Sequence, residues 1–438
     1  MDNNNRNYTG ERKAKLDSAN SGFNTEAESL LYGLGSRDLS RPATVPVPDL
    51  VCFSHLRWNF VYQRPQHLLS RAARERRVFV IEEAVYDNGS MHLDVQETED
   101  GVWVVVPHLP EGLQSEIATN AVLRGMVDSF FAEREIHQYV LWYYTPMALS
   151  FSQHLKPLAT IYDCMDELSA FKGASPHLRT RERQLFDCAD LVFTGGQSLY
   201  EAKRRQHHSV HAFPSSIDRA HFSQGRKALR EPEDQKSIPH PRLGFFGVID
   251  ERFDIELLDK IAAAKPDWHF VILGPVVKID PASLPQHANI HYLGGKSYKE
   301  LPSYLSGWDV ALLLFARNEA TRFISPTKTP EYLAAGKPVV STSIRDVVRP
   351  YSELGIVKIA DKPDEFIRAI EEVLATKRDR SDWLERVDKL LGTMSWDDTW
   401  SRMSCLIQDV IGQRRALIAT EVQSTAKARA AGLATGGY

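Results

Sequence analysis

Cysteine is scarce: the chain has four in 438 residues (Cys52, Cys164, Cys188 and Cys405), and none stands in a CxxC or CxxH spacing. That excludes a disulfide framework and a cysteine-based zinc site, and it suits a reducing compartment. Also missing is any apolar run near the roughly 18–20 residues that a spanning helix needs. The opening residues, MDNNNRNYTGERK, contain no apolar signal core. Charge of one sign is absent too. With 53 Lys and Arg against 57 Asp and Glu, the formal net charge is −4, so no basic field points to nucleic acid. What is present is ordinary globular composition, 43% hydrophobic and 25% charged, at a length that suits two or three domains. The expected location is the cytoplasm, with peripheral contact at the inner face of the cell membrane left open.

Residues 1–46 are rich in Asn, Ser, Arg and Glu and read as a flexible tail ending in the Pro-rich hinge Pro42–Pro48. Over residues 47–222 short apolar runs alternate with helical segments. Strands are expected at Asp49–Ser54, Val78–Glu82, Gly101–Pro107, Tyr139–Tyr144, Ala159–Asp163, Leu191–Thr194 and Val210–Phe213. Residues 223–241 are polar, charged and bounded by proline, as an interdomain linker would be. The alternation restarts over 242–395, with strands at Arg242–Phe246, Phe270–Leu273, Ile290–Leu293, Val310–Phe315, Pro338–Thr342 and Gly355–Ile359. Strands spaced by helices need crossover connections and parallel sheets covered on both faces. The fold class is therefore α/β, with two Rossmann-like doubly wound domains facing across a cleft, where ligands bind at the carboxyl ends of the strands. Residues 396–438 start with an aromatic-rich crossing helix, Trp396–Ile411, and end in an Ala/Gly-rich tail expected to fray.

The most informative segment is Phe323–Thr342, FISPTKTPEYLAAGKPVVST. Pro330 suits the first helical position with Thr329 as N-cap. Ser325, Thr327 and Lys328 then present amides, hydroxyls and a point charge where phosphate binds. Glu331 suits a pair of vicinal hydroxyls, since one carboxylate accepts both hydrogen bonds. Phosphates beside a diol-reading acid describe a nucleoside diphosphate with its ribose. The bland alternative is that Thr-Pro-Glu simply starts a helix whose dipole favours the acid. In the first domain, the loop after Asp49–Ser54 delivers His55, Arg57, Trp58 and Arg64, a mixture suited to stacking on a sugar and contacting an anion. Tyr144 ends a neighbouring strand. Asp163 and Asp166, at the end of another, are joint candidates for the base that deprotonates an acceptor hydroxyl; the competing roles are helix capping or orienting Arg57 or Arg64. The basic runs Arg71–Arg77 and Lys203–Arg205 read as solvated helix faces, with docking on anionic lipid as the alternative. His207, His208 and His211 have no metal-ligand spacing and read as surface.

The Phe323–Thr342 segment resembles the donor-binding signature of GT-B fold glycosyltransferases, as found in bacterial cell-surface polysaccharide enzymes. Gly244–Leu258 (GFFGVIDERFDIELL) resembles the strand–loop–helix of that family that faces the donor diphosphate. The resemblance implies close backbone approach at Gly247 and a diphosphate contact from Arg252. Phe213–Phe222 (FPSSIDRAHF) resembles the handover between the two domains. Ser54–Leu69 and Ile161–Glu167 resemble a subgroup that includes teichuronic-acid-type transferases. The activity this resemblance implies is that of a hexosyltransferase-like enzyme in polysaccharide biosynthesis. Such an enzyme moves sugar from a nucleoside diphosphate sugar to a carbohydrate or lipid-linked acceptor, with no cofactor, no metal and no nucleic acid. One position departs: where many retaining members carry a second Glu, eight residues before the ribose-reading one, this chain has Phe323. That leaves stereochemistry open, along with base, sugar and acceptor. The rival readings are a non-hydrolysing nucleotide-sugar epimerase and an inactive GT-B glycan-binding scaffold.

Overall fold

In β1 (Asp49–Ser54) every residue is buried. Leu50 and Cys52 join one apolar cluster, and Val51 and Phe53 join another on the opposite face. That is the period-two consequence of a strand covered on both sides. The structure, a computed structural model, describes residues 46–113, 115–376 and 380–434. The tail expected over residues 1–46 lies outside them apart from Pro46.

After β1 come α1 (Arg64–Ala72), β2 (Val78–Glu82), β3 (Val85–Asp87), β4 (His92–Glu97), β5 (Val102–Pro110) and α2 (Glu116–Glu133). β6 (Tyr139–Tyr143), β7 (Ala159–Cys164), α3 (Leu178–Cys188), β8 (Leu191–Thr194), α4 (Gln197–Lys203) and β9 (Val210–Ala212) complete the first domain. They make a nine-stranded sheet of order β3-β5-β2-β1-β6-β7-β8-β9, with β4 antiparallel on β5. β3 and β4 are half-exposed and short of apolar residues, so no hydrophobic run advertises them.

The second domain holds β10 (Arg242–Phe246), α5 (Ile255–Ala264), β11 (His269–Leu273), β12 (Ile290–Gly294), α6 (Leu301–Ser306) and β13 (Val310–Leu313). Then follow α7 (Lys328–Ala334), β14 (Val339–Ser341), β15 (Val357–Ile359), α8 (Pro363–Ala375) and α9 (Ser381–Leu391). Its sheet runs β12-β11-β10-β13-β14-β15, parallel throughout. In each sheet the strand order reverses beside the first strand, β1 or β10. The loops after β1, β10 and β13 therefore open at a switch point, where α/β sheets leave a crevice.

Two segments behave differently from their composition. The polar stretch 223–241 is packed on the second domain, with Gln235 fully buried. The Gln235 side chain donates to the Tyr304 carbonyl at 3.0 Å and accepts from Trp308 Nε1 at 2.9 Å. Arg242 grips Glu231 at 2.8 Å from the adjoining strand. Its polarity is thus that of a hydrogen-bonded strap. The last helix, α10 (Trp396–Ala434), continues through the Ala-rich tail where fraying was expected. Trp396, Trp400, Met403, Ile407 and Ile411 bury in the first domain's apolar cluster, so the chain crosses back after completing the second domain. His67 stacks on Trp396 with ring centroids 4.6 Å apart, and Arg71 holds Asp397 at 3.0 Å. At about 1.5–3 kcal/mol per large buried side chain, this seam is a main tie between the chain's end and its first half.

Candidate functional site

A cleft of about 830 Å³ opens between the domains, within the size range of small-molecule sites. Its second-domain wall is built on close backbone approach. Gly247 has φ +143°, and a Cβ there would lie 2.1 Å from Lys328 Cε. Gly274, also at φ +143°, sits so tightly that a Cβ would meet the Gly247 carbonyl oxygen at 1.8 Å. Only glycine fits such positions. The Tyr332 hydroxyl accepts from the Phe246 amide at 2.9 Å and so pins the strand end just ahead of Gly247.

The helix carrying Lys328 and Glu331 begins earlier than the sequence suggests. Thr327, not Thr329, is its N-cap, and Pro330 falls within the first turn. Proline is tolerated there because the first amides of a helix have no intrahelical partner. Thr329 is fully buried instead, its hydroxyl without a partner among the described residues. Ser325, Thr327, Lys328 and Glu331 all line the cleft. The Ser325 carbonyl accepts from Ser215 Oγ at 2.6 Å, a bond between the domains that nothing in the local sequence suggests. Burial, then the Arg252 charge, press the Lys328 ammonium down to about 8. Burial raises the Glu331 carboxyl to about 7 against the pull of Lys328. Arg252 lines the cleft with its guanidinium forked on Asp250 (2.7–3.1 Å) and its charge 5.2 Å from the Phe171 ring of the first domain.

On the first-domain wall the structure divides the candidates. Trp58, Arg64 and Asp166 line the cleft; His55, Arg57, Tyr144 and Asp163 do not. Asp163 is fully buried and receives Arg64 in a fork of 2.9–3.1 Å, while Arg64 also donates to the Phe213 carbonyl at 2.8 Å. Asp163 is thereby removed from the pair of candidate bases: its oxygens are engaged and sealed from the acceptor. Asp166, three residues on and past the strand end, reaches the cleft half-buried. Burial lifts its carboxyl to about 6, against the pull of Arg252 and Arg64.

The expected acceptor contacts from Tyr144 and Arg57 are also corrected. Tyr144 is 1% exposed, behind the Arg64–Asp163 pair. Arg57 is turned to Glu82 at 2.9 Å and to the Glu83 carbonyl at 2.7 Å. His55 stands off the cleft with Nδ1 buried and unpartnered among the described residues; burial and Lys278 lower its pKa to about 4. Trp58 is held by its own amide on Glu82 at 2.6 Å and its carbonyl under Gln66 at 2.7 Å. Unforeseen contributors are Gly195, Tyr298 and the tip of the β4–β5 hairpin, Thr98 to Asp100. Turn chemistry marks that tip, but nothing local shows that it reaches the other domain. Phe323 is absent from the cleft wall and packs toward the first domain's core.

Among the described residues no cluster of three His, Cys, Asp or Glu could hold a metal ion, and no helix is long and apolar enough to cross a membrane.

Residues 240–376 match the family described as Glycosyl transferases group 1. The chain is 27% identical over 280 residues to a putative teichuronic acid biosynthesis glycosyltransferase, TuaH, of Bacillus subtilis (strain 168), covering 59% of this chain and 68% of that protein. Among solved structures it resembles sucrose-phosphate synthase from Thermosynechococcus elongatus, with TM-score 0.62 and 14% identity over 84% of this chain and 100% of that one. It also resembles an E. coli trehalose-6-phosphate structure bound with UDP-2-fluoro glucose, with TM-score 0.59 and 13% identity over 83% and 99%. The structural likenesses establish the GT-B fold.

Proposed function

We propose that this chain, a glycosyltransferase of the GT-B fold acting in polysaccharide biosynthesis, seats a nucleoside diphosphate sugar on its second domain and draws its catalytic base from the first. One observation carries the reading: Gly247, Arg252, Lys328 and Glu331 of one domain meet Arg64 and Asp166 of the other in a single cleft. Glu331 accepts the two ribose hydroxyls, as a buried carboxylate with no donor of its own among the described residues is suited to do. Lys328 and Arg252 face the diphosphate, and Ser325 and Thr327 add hydrogen bonds to it. Gly247 lets the phosphates approach the backbone.

In the reaction the bond from the anomeric carbon to the diphosphate oxygen breaks and a bond to the acceptor oxygen forms. The acceptor's hydroxyl proton passes to Asp166, whose pKa of about 6 still leaves it mostly ionised at neutral pH and whose rise from the ordinary value makes it the stronger base. Negative charge gathering on the leaving diphosphate is met by Lys328 and Arg252, both already placed on the cleft wall. These two cations take the place a metal ion would have, so the reaction as proposed needs no metal and no further cofactor. Trp58 meets the acceptor, and Arg64, forked on Asp163, holds the wall behind it. The acceptor is a carbohydrate, free or lipid-linked, encountered on the cytoplasmic side, at the inner face of the membrane when lipid-linked. With a net charge of −4, nucleic acid has no part in it.

The test is a nucleotide-release assay over a panel of nucleoside diphosphate sugars. A transferase liberates diphosphate only when acceptor is added. Isomerisation of the donor without acceptor, or nucleotide binding with no turnover under any pairing, overturns the reading.

A further inference from the structure

The loop between β7 and α3 brings Asp166 to the cleft and then, at Phe171, crosses to the second domain. The Arg252 guanidinium stands over the Phe171 ring, 5.2 Å from its centroid, and Lys278 Nζ stands 5.5 Å from the same point. Beside the ring, the Lys172 amide donates to Glu251 Oε1 at 3.3 Å. From the other side, Asn318 Nδ2 donates to the Glu251 carbonyl at 3.1 Å and the Ala316 amide donates to the Arg252 carbonyl at 2.8 Å. The segment that carries Arg252 is thus gripped between a first-domain loop and the loop after β13.

A guanidinium is planar, with edges that donate and faces that stack. One edge of Arg252 is taken by Asp250: Nε lies 3.0 and 3.1 Å from its two carboxylate oxygens, and Nη2 lies 2.7 Å from one of them. One face is covered by Phe171. Nη1 has no hydrogen-bond partner among the described residues, and Arg252 lines the cleft together with Lys328. The fork sets which edge is free, and the ring sets the tilt of the plane.

We propose that Phe171 is a positioning residue for the transfer reaction: reaching over from the first domain, it fixes the Arg252 guanidinium and so holds Nη1 toward the leaving diphosphate. This role rests on the donor site proposed above. Because ring and cation belong to different domains, Arg252 is set only while the two domains stand together. The loop that brings the ring also brings Asp166, so one first-domain segment places both the base and the leaving-group cation. Two domains held apart would keep the donor with neither in place.

The test is a double-mutant cycle read by calorimetry on the full chain, with UDP and GDP as probes, since a free diphosphate carries the charge that develops on the leaving group. Phe171→Leu keeps apolar bulk and removes the ring. It is expected to weaken the tighter probe about threefold to thirtyfold, the span that a cation–π contact covers. In an Arg252→Gln background, where the cation is gone, the same change should weaken binding by less than about twofold. Phe171→Tyr keeps the ring and should stay within about twofold of the wild type. Wild-type affinity in Phe171→Leu, an equal loss with and without the Arg252 cation, or a loss in Phe171→Tyr as large as in Phe171→Leu overturns the role. Failure of the donor reading shows differently: neither diphosphate binds the wild type, and the role of Phe171 falls with it.

Discussion

The two walls of the cleft are made on different plans. The second domain shapes its wall with backbone: Gly247 and Gly274 admit close approach, and Glu331, buried, and Lys328, half-buried, stand beside an open space. The first domain shapes its wall with side chains already engaged, Arg64 with Asp163 and Glu82 with the Trp58 backbone amide. Buried charges without a fixed partner are costly and wait for a ligand; a forked, buried pair is satisfied and serves to position. In the function proposed, the donor side thus draws its binding strength from groups that the ligand completes. The acceptor side offers a tied frame with Asp166 facing the cleft just past the end of β7, and Glu99 and Asp100 reaching it from the β4–β5 hairpin.

This contrast can be broken most sharply at Asp166. Asp166→Asn is expected to lower kcat by about 10²–10⁴-fold, the usual worth of a general base, with nucleotide affinity unchanged by calorimetry. Activity near wild type would move the base elsewhere. Next is Asp163→Ala, which leaves Arg64 buried and unpaired. We expect a loss of about 3–5 kcal/mol in denaturant unfolding, much more than Asp166→Asn costs. If instead the two cost equally little, the frame is not held by this pair. On the donor wall, Glu331→Ala and Lys328→Ala should each weaken nucleoside diphosphate binding by about 1.5–3 kcal/mol, the range for hydrogen bonds to charged groups. Intact affinity in both variants would sink the donor assignment.

The pH dependence sharpens the same wall. Glu331, raised to about 7, must be ionised to accept two hydroxyls, so affinity falls as pH drops through that value. Lys328, lowered to about 8, must be protonated to meet phosphate, so affinity falls as pH rises past it. Nucleotide affinity should therefore peak near neutrality and flatten on the acid side in Glu331→Gln. The smallest expected effect is none: turnover with excess chelator should equal turnover without it, and a loss restored by added divalent metal would show that Lys328 and Arg252 do not suffice.

Legibility in the sequence tracks how local each feature is. Strands such as Asp49–Ser54 and Leu191–Thr194 are readable because complete burial demands an unbroken apolar run. The short strands His92–Glu97 and Val85–Asp87, half in solvent, carry no such run and escape a reading by periodicity. The segment around Glu331 is readable because loop, helix start and return strand lie within one stretch of chain. Arg57 and Tyr144 are misplaced by sequence because what surrounds them lies on other elements: Glu82 takes Arg57, and the Arg64–Asp163 pair lies beside the buried Tyr144.

By itself the sequence determined the two α/β sheets and the residue types gathered around Glu331. Both arise from hydrophobic periodicity and from residue types adjacent in the chain, which the backbone keeps together whatever the rest does. The tertiary structure alone decided the surroundings of Asp163 and Asp166. They stand three residues apart, and nothing local distinguishes them. Arg64, ninety-nine residues from Asp163, occupies one carboxylate, because a buried charge must be paired, and leaves the other to the cleft.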